Sequence, residues 1–290
     1  MRICVIDIGS NSIRYMEAES TNDGFRFSPK TVRTTRLAEG LSSSGRLSSA
    51  AMERSVSVLK EFADCAAAQS LPAFCYATSA VRDAENGPDF VHTILETTGL
   101  PTEVLSGEEE ARLAWAGSAK SGGGLIDIGG GSSQIITDTF RKSFPVGCVR
   151  IRDWCQSQTL SDLEQLIPKF DRIYSLPEFG TLSWSAVGGT ATTLGALSLG
   201  LKQYDPALVS SAVLSSDQLL DLLHRLDAMG DERRAENPLL FKRHNVIIGG
   251  GFLLHYLMQR IKISEIAVSD ADGLEGYAMK VLRDLHPSKE

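Results

Sequence analysis

The stretch VIDIGSNS at residues 5–12 decides the fold, because it returns as LIDIGGGSS at residues 125–133. Each copy is an apolar run that ends in Asp and continues with Gly and small hydroxylated residues. Further strands are predicted after each copy, at residues 12–18 and 25–36 in the first half and at residues 135–139 and 144–149 in the second. This repeat, at a spacing of about one domain, predicts an internal duplication. Strands alternate with helical patterns in both halves, which predicts two α/β domains with mixed sheets flanked by helices.

The two copies are separated by Ser121-Gly122-Gly123-Gly124, a composition typical of a flexible break. We therefore place the domain boundary near Ser121, with one domain at residues 1–120 and the other at 121–290. The closing helix, from Leu274, is expected to pack back on the first domain. Two similar halves facing each other would form a cleft, and the sequence predicts that the active site lies there.

Composition and charge exclude several classes of protein. The 290 residues carry a net charge of −7 without a basic block, which argues against nucleic acid as a partner. No segment reaches the roughly 18 apolar residues of a membrane span. The five cysteines form no CxxC pair and predict reduced thiols in a cytoplasmic protein. An acidic protein that binds a polyanion must gather positive charge locally or take it from metal ions.

The two glycine turns predict phosphate binding. Glycines at the end of a strand let backbone N–H groups converge on phosphate oxygens, and neighbouring hydroxyl and amide groups add donors. Neither turn fits the P-loop or the dinucleotide-binding pattern. Two ordinary hairpin turns are the alternative, which the duplication makes less favoured. The predicted phosphate ligands are Gly9, Ser10, Asn11, Ser12, Gly129, Gly130, Gly131, Ser132 and Ser133. Asp7 and Asp127, which end the two strands, are candidates to hold a metal ion or its water.

Seven stretches, in order along nearly the whole chain, resemble the Ppx/GppA phosphatases, a family within the superfamily of actin, heat-shock chaperone ATPases and sugar kinases. They are VIDIGSNSIR (5–14), RLAEGLSSSGRL (36–47), ATSAVRDAEN (77–86), LSGEEEARLAWAG (105–117), LIDIGGGSS (125–133), VGGTATTL (187–194) and AVSDADGLEG (267–276). Each stretch alone is weak, whereas the ordered set is specific.

The resemblance implies two actin-like (ribonuclease H-like) domains and a short form without the C-terminal helical domain of some members. It implies hydrolysis of inorganic polyphosphate from its end, or removal of the terminal phosphate of guanosine pentaphosphate. It also implies Mg²⁺ as cofactor. Polyphosphate and guanosine pentaphosphate present the same terminal phosphate, so the preference between them stays open, as does the oligomeric state, monomer or homodimer.

The acidic run Glu108-Glu109-Glu110 opens a predicted helix, where acidic residues usually form a solvated face. Glu108 has Arg112 at i+4 and fits that interpretation. Glu110 has small and apolar residues at i+3, i+4 and i+7, so it is expected to point inward. An unpaired carboxylate there would be costly, which favours a role near metal or water. The resemblance implies that Glu110 is the catalytic glutamate that orients or deprotonates the attacking water.

Further candidate phosphate ligands are two arginines and one strand–helix turn. Arg82 could bind a phosphate through two N–H groups, with an ordinary surface arginine as the alternative. Arg14 follows the first glycine turn directly. Gly189 and Thr190 open a helix, whose N-terminus favours anions, although a close-packed structural turn explains them equally well. Residues 248–251, IGGG, could form a similar turn facing a nucleoside, but the resemblance implies that this stretch is helical and structural.

Gln134 departs from the family pattern, which the resemblance indicates is usually Glu. Glutamine keeps the shape but loses the charge, so it is a weaker ligand for Mg²⁺. This change supports one alternative, a polyphosphate- or nucleotide-binding sensor with weak or lost turnover. A second alternative is a small-molecule kinase of the same superfamily, although no acceptor or nucleoside motif is evident.

Overall fold

The computed structural model describes residues 1–118 and 123–285. The chain divides into two compact units, one of Met1–Gly117 with the closing segment from Ala271, the other of Ser118–Asp270. The boundary that the sequence predicts, near Ser121, lies outside the described residues. The closing segment belongs to the first unit, so that unit is discontinuous in sequence.

The first unit contains a mixed sheet in the order β3-β2-β1-β5-β6, with β4 also paired to β2. Its strands are β1 (Arg2–Ile8), β2 (Ser12–Thr21), β3 (Gly24–Phe27), β4 (Thr31–Thr34), β5 (Ala73–Ala77) and β6 (Thr102–Val104). β1 runs antiparallel to β2 and parallel to β5. The sequence predicted one strand over residues 25–36, which was wrong. The chain breaks around Pro29, whose ring nitrogen has no N–H to donate to a sheet.

Helices flank this sheet. They are α1 (Leu41–Ser44), α2 (Ser49–Ala68), α3 (Ser79–Asp83), α4 (Gly87–Thr98), α5 (Gly107–Ser118) and α14 (Gly273–Leu285). The sequence predicts Ser48 or Ser49 as the cap of α2, and the structure has Ser48, whose hydroxyl accepts a hydrogen bond from the N–H of Ala51. The closing helix α14 packs on β1 and β2. Its buried residues Leu274, Tyr277 and Ala278 join the core under the sheet.

The second unit has a mixed sheet in the order β11-β12-β10-β7-β8-β9. Its strands are β7 (Gly123–Ile128), β8 (Ser133–Thr137), β9 (Arg141–Phe144), β10 (Ser183–Val187), β11 (Val213–Ser215) and β12 (Glu265–Val268). Its helices are α6 (Cys148–Trp154), α7 (Leu160–Glu164), α8 (Ile167–Ile173), α9 (Gly188–Ser198), α10 (Pro206–Val209), α11 (Ser216–Met229), α12 (Asp231–Glu236) and α13 (Ile247–Ile261). The glycines of residues 249–251 lie buried inside α13, which confirms their structural interpretation.

The sequence predicted a strand from Phe144 to Val149, which was wrong. β9 ends at Phe144 and α6 begins at Cys148. The cause is a close approach of this segment to the second glycine turn. The N–H of Cys148 donates to the carbonyl of Gly129 at 3.0 Å, and a Cβ on Gly147 would lie 2.4 Å from the carbonyl oxygen of Gly130. These backbone contacts replace the pairing of a strand.

The mixed sheets flanked by helices in both units confirm the predicted fold class. Within the described residues, no helix combines the length and the apolar character needed to cross a membrane.

Candidate functional site

The two glycine turns are hairpin turns of the same register. In the first unit Asp7 pairs with Arg14, and the N–H of Gly9 donates to the carbonyl of Ser12 at 3.1 Å. In the second unit Asp127 pairs with Gln134, and the N–H of Gly129 donates to the carbonyl of Ser132 at 3.0 Å. The duplication in sequence is therefore a duplication of backbone geometry. It also makes Gln134 the counterpart of Arg14.

The side chains of the first turn are buried and engaged within the protein. The hydroxyls of Ser10 and Ser79 lie 3.0 Å apart. The carbonyl of Asn11 accepts hydrogen bonds from the N–H groups of Thr35 and Arg36. Ser10, Asn11 and Ser12 are all buried. The turn is thus held in one conformation, and phosphate binding by its three side chains stays a prediction.

Arg14 lies between two carboxylates. Its Nε donates to Oδ2 of Asp7 at 2.7 Å, and its Nη1 donates to Oδ2 of Asp272 at 2.5 Å. Lys30 pairs with Asp272 at 3.5 Å and with Glu275 at 2.9 Å. The sequence suggested Arg14 as a phosphate ligand, whereas in this structure its charge is balanced by Asp7 and Asp272. The sequence analysis did not identify Lys30 as a site residue. Asp272 lies within the family-like stretch 267–276, but no role was predicted for it.

Asp7 is the metal candidate of the first unit. Its Oδ1 is buried and has no hydrogen-bond partner among the residues that the structure describes. Burial raises the pKa of Asp7, and the positive charge of Arg14 only partly offsets this shift. An orphaned buried carboxylate oxygen suits a cation or a water bound to one. No group of three or more His, Cys, Asp or Glu side chains within residues 1–118 and 123–285 is arranged to hold a metal ion. Mg²⁺ commonly takes only one or two protein carboxylates, with waters and substrate phosphates completing its shell, so the residues fit this ion.

The acidic run at the start of α5 has three different roles. Glu108 is exposed, as its helical position predicts. Glu109 accepts hydrogen bonds from the N–H and the hydroxyl of Ser106, and its own N–H donates to that hydroxyl. This is a capping box, and it lowers the pKa of Glu109. The sequence S-x-x-E at residues 106–109 carried this signal.

Glu110 points inward from α5, and its side chain is only 14% exposed. This inward direction agrees with the prediction from helical spacing, and the structure adds a partner for the carboxylate. Nη1 of Arg82 donates to Oε2 of Glu110 at 2.5 Å and to the carbonyl of Leu105 at 2.7 Å. Burial raises the pKa of Glu110 to about 7, although Arg82 acts to lower it. Arg82 is therefore the partner of Glu110 in this structure, and phosphate binding by Arg82 stays a prediction.

The strand–helix turn from β10 to α9 borders Asp127. Gly188 has a φ of +82°, and a Cβ there would lie 2.7 Å from Oδ1 of Asp127. Only glycine adopts this backbone freely, and it leaves room for the carboxylate. A Cβ on Gly189 would lie 1.8 Å from Nη2 of Arg243, so the guanidinium packs on the backbone at the N-terminus of α9. Thr190 is buried against Gly250.

Arg243 was not found from the sequence, because no local pattern links it to residues more than 50 positions away. It places a cation where the N–H groups of α9 already favour an anion. Arg243 is also close enough to Cys148 to lower the pKa of that buried thiol, although burial raises it more. Arg243 thus joins Gly189 and Thr190 as a candidate for phosphate binding in the second unit.

The hydroxylated residues of the second turn are also engaged. The hydroxyls of Ser133 and Tyr174 lie 2.6 Å apart in the core. Nε2 of Gln134 donates to the hydroxyls of Ser132 at 3.1 Å and Ser143 at 3.0 Å. Gln134 is only 2% exposed. Ser133 therefore faces the core, and Gln134 holds the hydroxyl of Ser132.

Comparisons with known proteins agree in family and in fold. Exopolyphosphatase 2 of Mycobacterium tuberculosis is 28% identical over 97% of this chain and 98% of its own length. The crystal structure of an exopolyphosphatase-like protein has a TM-score of 0.91 at 26% identity and covers 98% of both chains. The Aquifex aeolicus PPX-GPPA enzyme has a TM-score of 0.79 at 25% identity, over 97% of this chain and 99% of that one.

These likenesses confirm the actin-like two-domain fold expected from the sequence. The model of the Ppx/GppA phosphatase family matches residues 17–284. That range includes α3, α5, the second glycine turn and the start of α14. Because the match spans nearly the whole chain, this protein belongs to the Ppx/GppA phosphatase family.

Proposed function

We propose that this protein releases the terminal phosphate of inorganic polyphosphate by Mg²⁺-assisted attack of water, in the cytoplasm. The observation that carries the proposal is the largely buried carboxylate of Glu110, held by Arg82 and with its pKa raised to about 7. A general base works best when its pKa is near the operating pH. The similarity to exopolyphosphatase 2 supports polyphosphate as substrate, and the absence of any disulfide among Cys4, Cys65, Cys75, Cys148 and Cys155 suits the cytosol.

Each residue of the candidate site has a defined task in this proposal. Glu110 orients the attacking water and takes its proton, while Arg82 fixes the direction of the carboxylate. The backbone N–H groups of the two glycine turns, with Arg243 at α9, bind phosphate oxygens and stabilise the charge that develops as the P–O bond breaks. Asp127 and Asp7 would hold Mg²⁺, which supplies neutralisation of the phosphate charge.

The experiment that tests the proposal measures phosphate release from long-chain polyphosphate and from guanosine pentaphosphate, with and without Mg²⁺. We expect release from polyphosphate that stops when EDTA removes the metal. Release from neither substrate would contradict the proposal. Release from guanosine pentaphosphate alone would support the hydrolysis of a phosphoanhydride bond but would identify the nucleotide, rather than polyphosphate, as the substrate.

The raised pKa of Glu110 predicts the pH dependence of the reaction. The base must be deprotonated to act, so kcat/KM is expected to fall as the pH drops below about 7. Replacing Arg82 with Gln removes the cation that lowers this pKa, so the acidic limb of the profile moves to higher pH. Initial rates from pH 5.5 to 9 for wild type and Arg82→Gln measure both effects. A profile that is flat across pH 7 would exclude Glu110 as the titrating base.

Gln134 predicts a gain of activity. We expect Gln134→Glu to raise phosphate release and strengthen the dependence on Mg²⁺, because a carboxylate attracts the ion more than an amide does. The hydroxyls of Ser132 and Ser143 lie where they can donate to the new carboxylate. Measurement of kcat/KM across a Mg²⁺ titration gives the answer. Lower activity would mean that the added charge repels phosphate, and an unchanged titration would mean that position 134 does not affect the metal.

The second candidate function is a polyphosphate- or nucleotide-binding sensor with weak turnover. Gln134 favours this function, because it places an amide where the resemblance to the Ppx/GppA phosphatases indicates that a carboxylate is usual. Calorimetric binding of polyphosphate without measurable phosphate release, in the presence of Mg²⁺, would identify a sensor.

A further inference from the structure

A basic patch lies beside the second glycine turn. We define it as Arg150 of α6 with Lys169 and Arg172 of α8. Nε of Arg150 donates to the carbonyl of Gly131 at 3.0 Å, so the patch begins at the turn itself. Lys169 and Arg172 are exposed, and their i, i+3 spacing puts them on one face of α8.

Trp154 connects the two helices of the patch. The ammonium of Lys169 lies 3.6 Å from the centre of the Trp154 ring, a cation–π contact that fixes the end of this flexible side chain. Trp154 is four residues after Arg150 and thus on the same face of α6. Burial against these neighbours lowers the pKa of Lys169, and the positive charges of Arg150 and Arg172 lower it further. Lys169 is therefore close enough to both arginines to be repelled by them.

Neither Lys169 nor Arg172 forms an ion pair within the described part of the chain, although the protein carries 36 acidic against 29 basic residues. Neighbouring carboxylates are engaged elsewhere. Asp153 pairs with Arg152, and Asp171 accepts a hydrogen bond from the hydroxyl of Tyr256. Like charges at i, i+3 destabilise a helix, so this arrangement is unfavourable until an anion lies across it.

We infer that the basic patch binds the body of a long polyphosphate chain beyond the phosphates held at the second glycine turn. This inference rests on the proposed function and extends it to chain length. A polyphosphate carries about one negative charge per phosphate unit, so one chain meets several cations in succession. A substrate of only three phosphates has fewer units to extend from the turn across α8, and so the patch would select for long chains.

The test compares a double variant, Lys169→Gln with Arg172→Gln, with a matched control, Lys202→Gln with Arg225→Gln. Both control residues are exposed cations of the same unit, so the change of charge is equal. For polyphosphate of about 100 units, the double variant should raise KM about 10-fold and leave kcat unchanged. For tripolyphosphate, KM should stay within about 2-fold of wild type. The control should leave both values unchanged.

Calorimetric binding in EDTA separates this inference from the proposed function. If the wild type releases no phosphate, the proposed function fails, and binding of the two chain lengths still decides the role of the patch. Its affinity for the long chain should fall about 10-fold in the double variant, with a weaker dependence on salt. An equal change for both chain lengths, or no change for either, would overturn the inference. An equal loss of affinity for single-stranded poly(U) would overturn it as well, because the patch would then be a general polyanion surface.

Discussion

Replacement of Glu110 with Gln is expected to lower kcat about 100-fold or more, the usual scale for a lost general base. Glutamine has the same shape, and its amide oxygen can still accept the hydrogen bond from Arg82 that fixes this side chain. The structure around position 110 should therefore persist, while the proton acceptor is gone. KM is expected to change much less than kcat, because Glu110 acts on the water rather than on the bound phosphates. Steady-state kinetics with polyphosphate measure both values.

The control for this prediction is Glu108→Gln on the same helix. Glu108 is exposed and lies on the opposite face of α5, so its loss of charge should change kcat less than 2-fold. Circular dichroism and thermal unfolding should be similar for both variants. Equal losses of activity would show that the inward direction of Glu110 is irrelevant to the reaction.

Replacement of Gly276 with Ala is expected to destabilise the first unit by about 3 kcal/mol. A Cβ on Gly276 would lie 1.9 Å from the carbonyl oxygen of Leu113, and a Cβ on Gly117 would lie 1.9 Å from that of Asp272. The two glycines thus let α14 and α5 approach each other at backbone distance. Since neither contact involves a flexible side chain, the helices must move apart to accept a methyl group.

Urea unfolding, followed by circular dichroism, measures this effect, and Gly273→Ala on the same helix is its control. At Gly273 the nearest atom to an added Cβ is 3.7 Å away, and its φ is not in the left-handed region. That variant should be neutral or slightly stabilising, because alanine limits the unfolded chain. Equal stability of the two variants would show that α14 does not depend on a close crossing with α5.

Local patterns predicted most of the fold. The alternation of apolar strands with Asp and Gly at their ends placed β1, β2, β7 and β8, because strand period and turn chemistry are encoded within about ten residues. The same holds for α2, whose apolar stripe and Ser48 cap are adjacent in sequence. The strand predicted at Phe144–Val149 failed because the apolar run there serves a contact with Gly129 and Gly130 rather than a sheet.

The candidate site was only partly predictable, for a related reason. Helical spacing along α5 was enough to show that Glu110 points inward and Glu108 outward, since both directions follow from 3.6 residues per turn. It could not show that Arg82 pairs with Glu110, 28 residues away. Nor could it place Arg243 against Gly189 or Asp272 against Arg14.

The sequence by itself determined the duplicated glycine turns, the family resemblance and the directions in which Glu108 and Glu110 point. The tertiary structure alone decided which charges are paired. Arg14 forms ion pairs with both Asp7 and Asp272. The equivalent position in the second turn holds the neutral Gln134, which pairs with Asp127 in the sheet. The reason is physical: hydrogen-bonded turns and helix faces follow from neighbouring residues, whereas a buried charge finds its partner only after distant segments have packed.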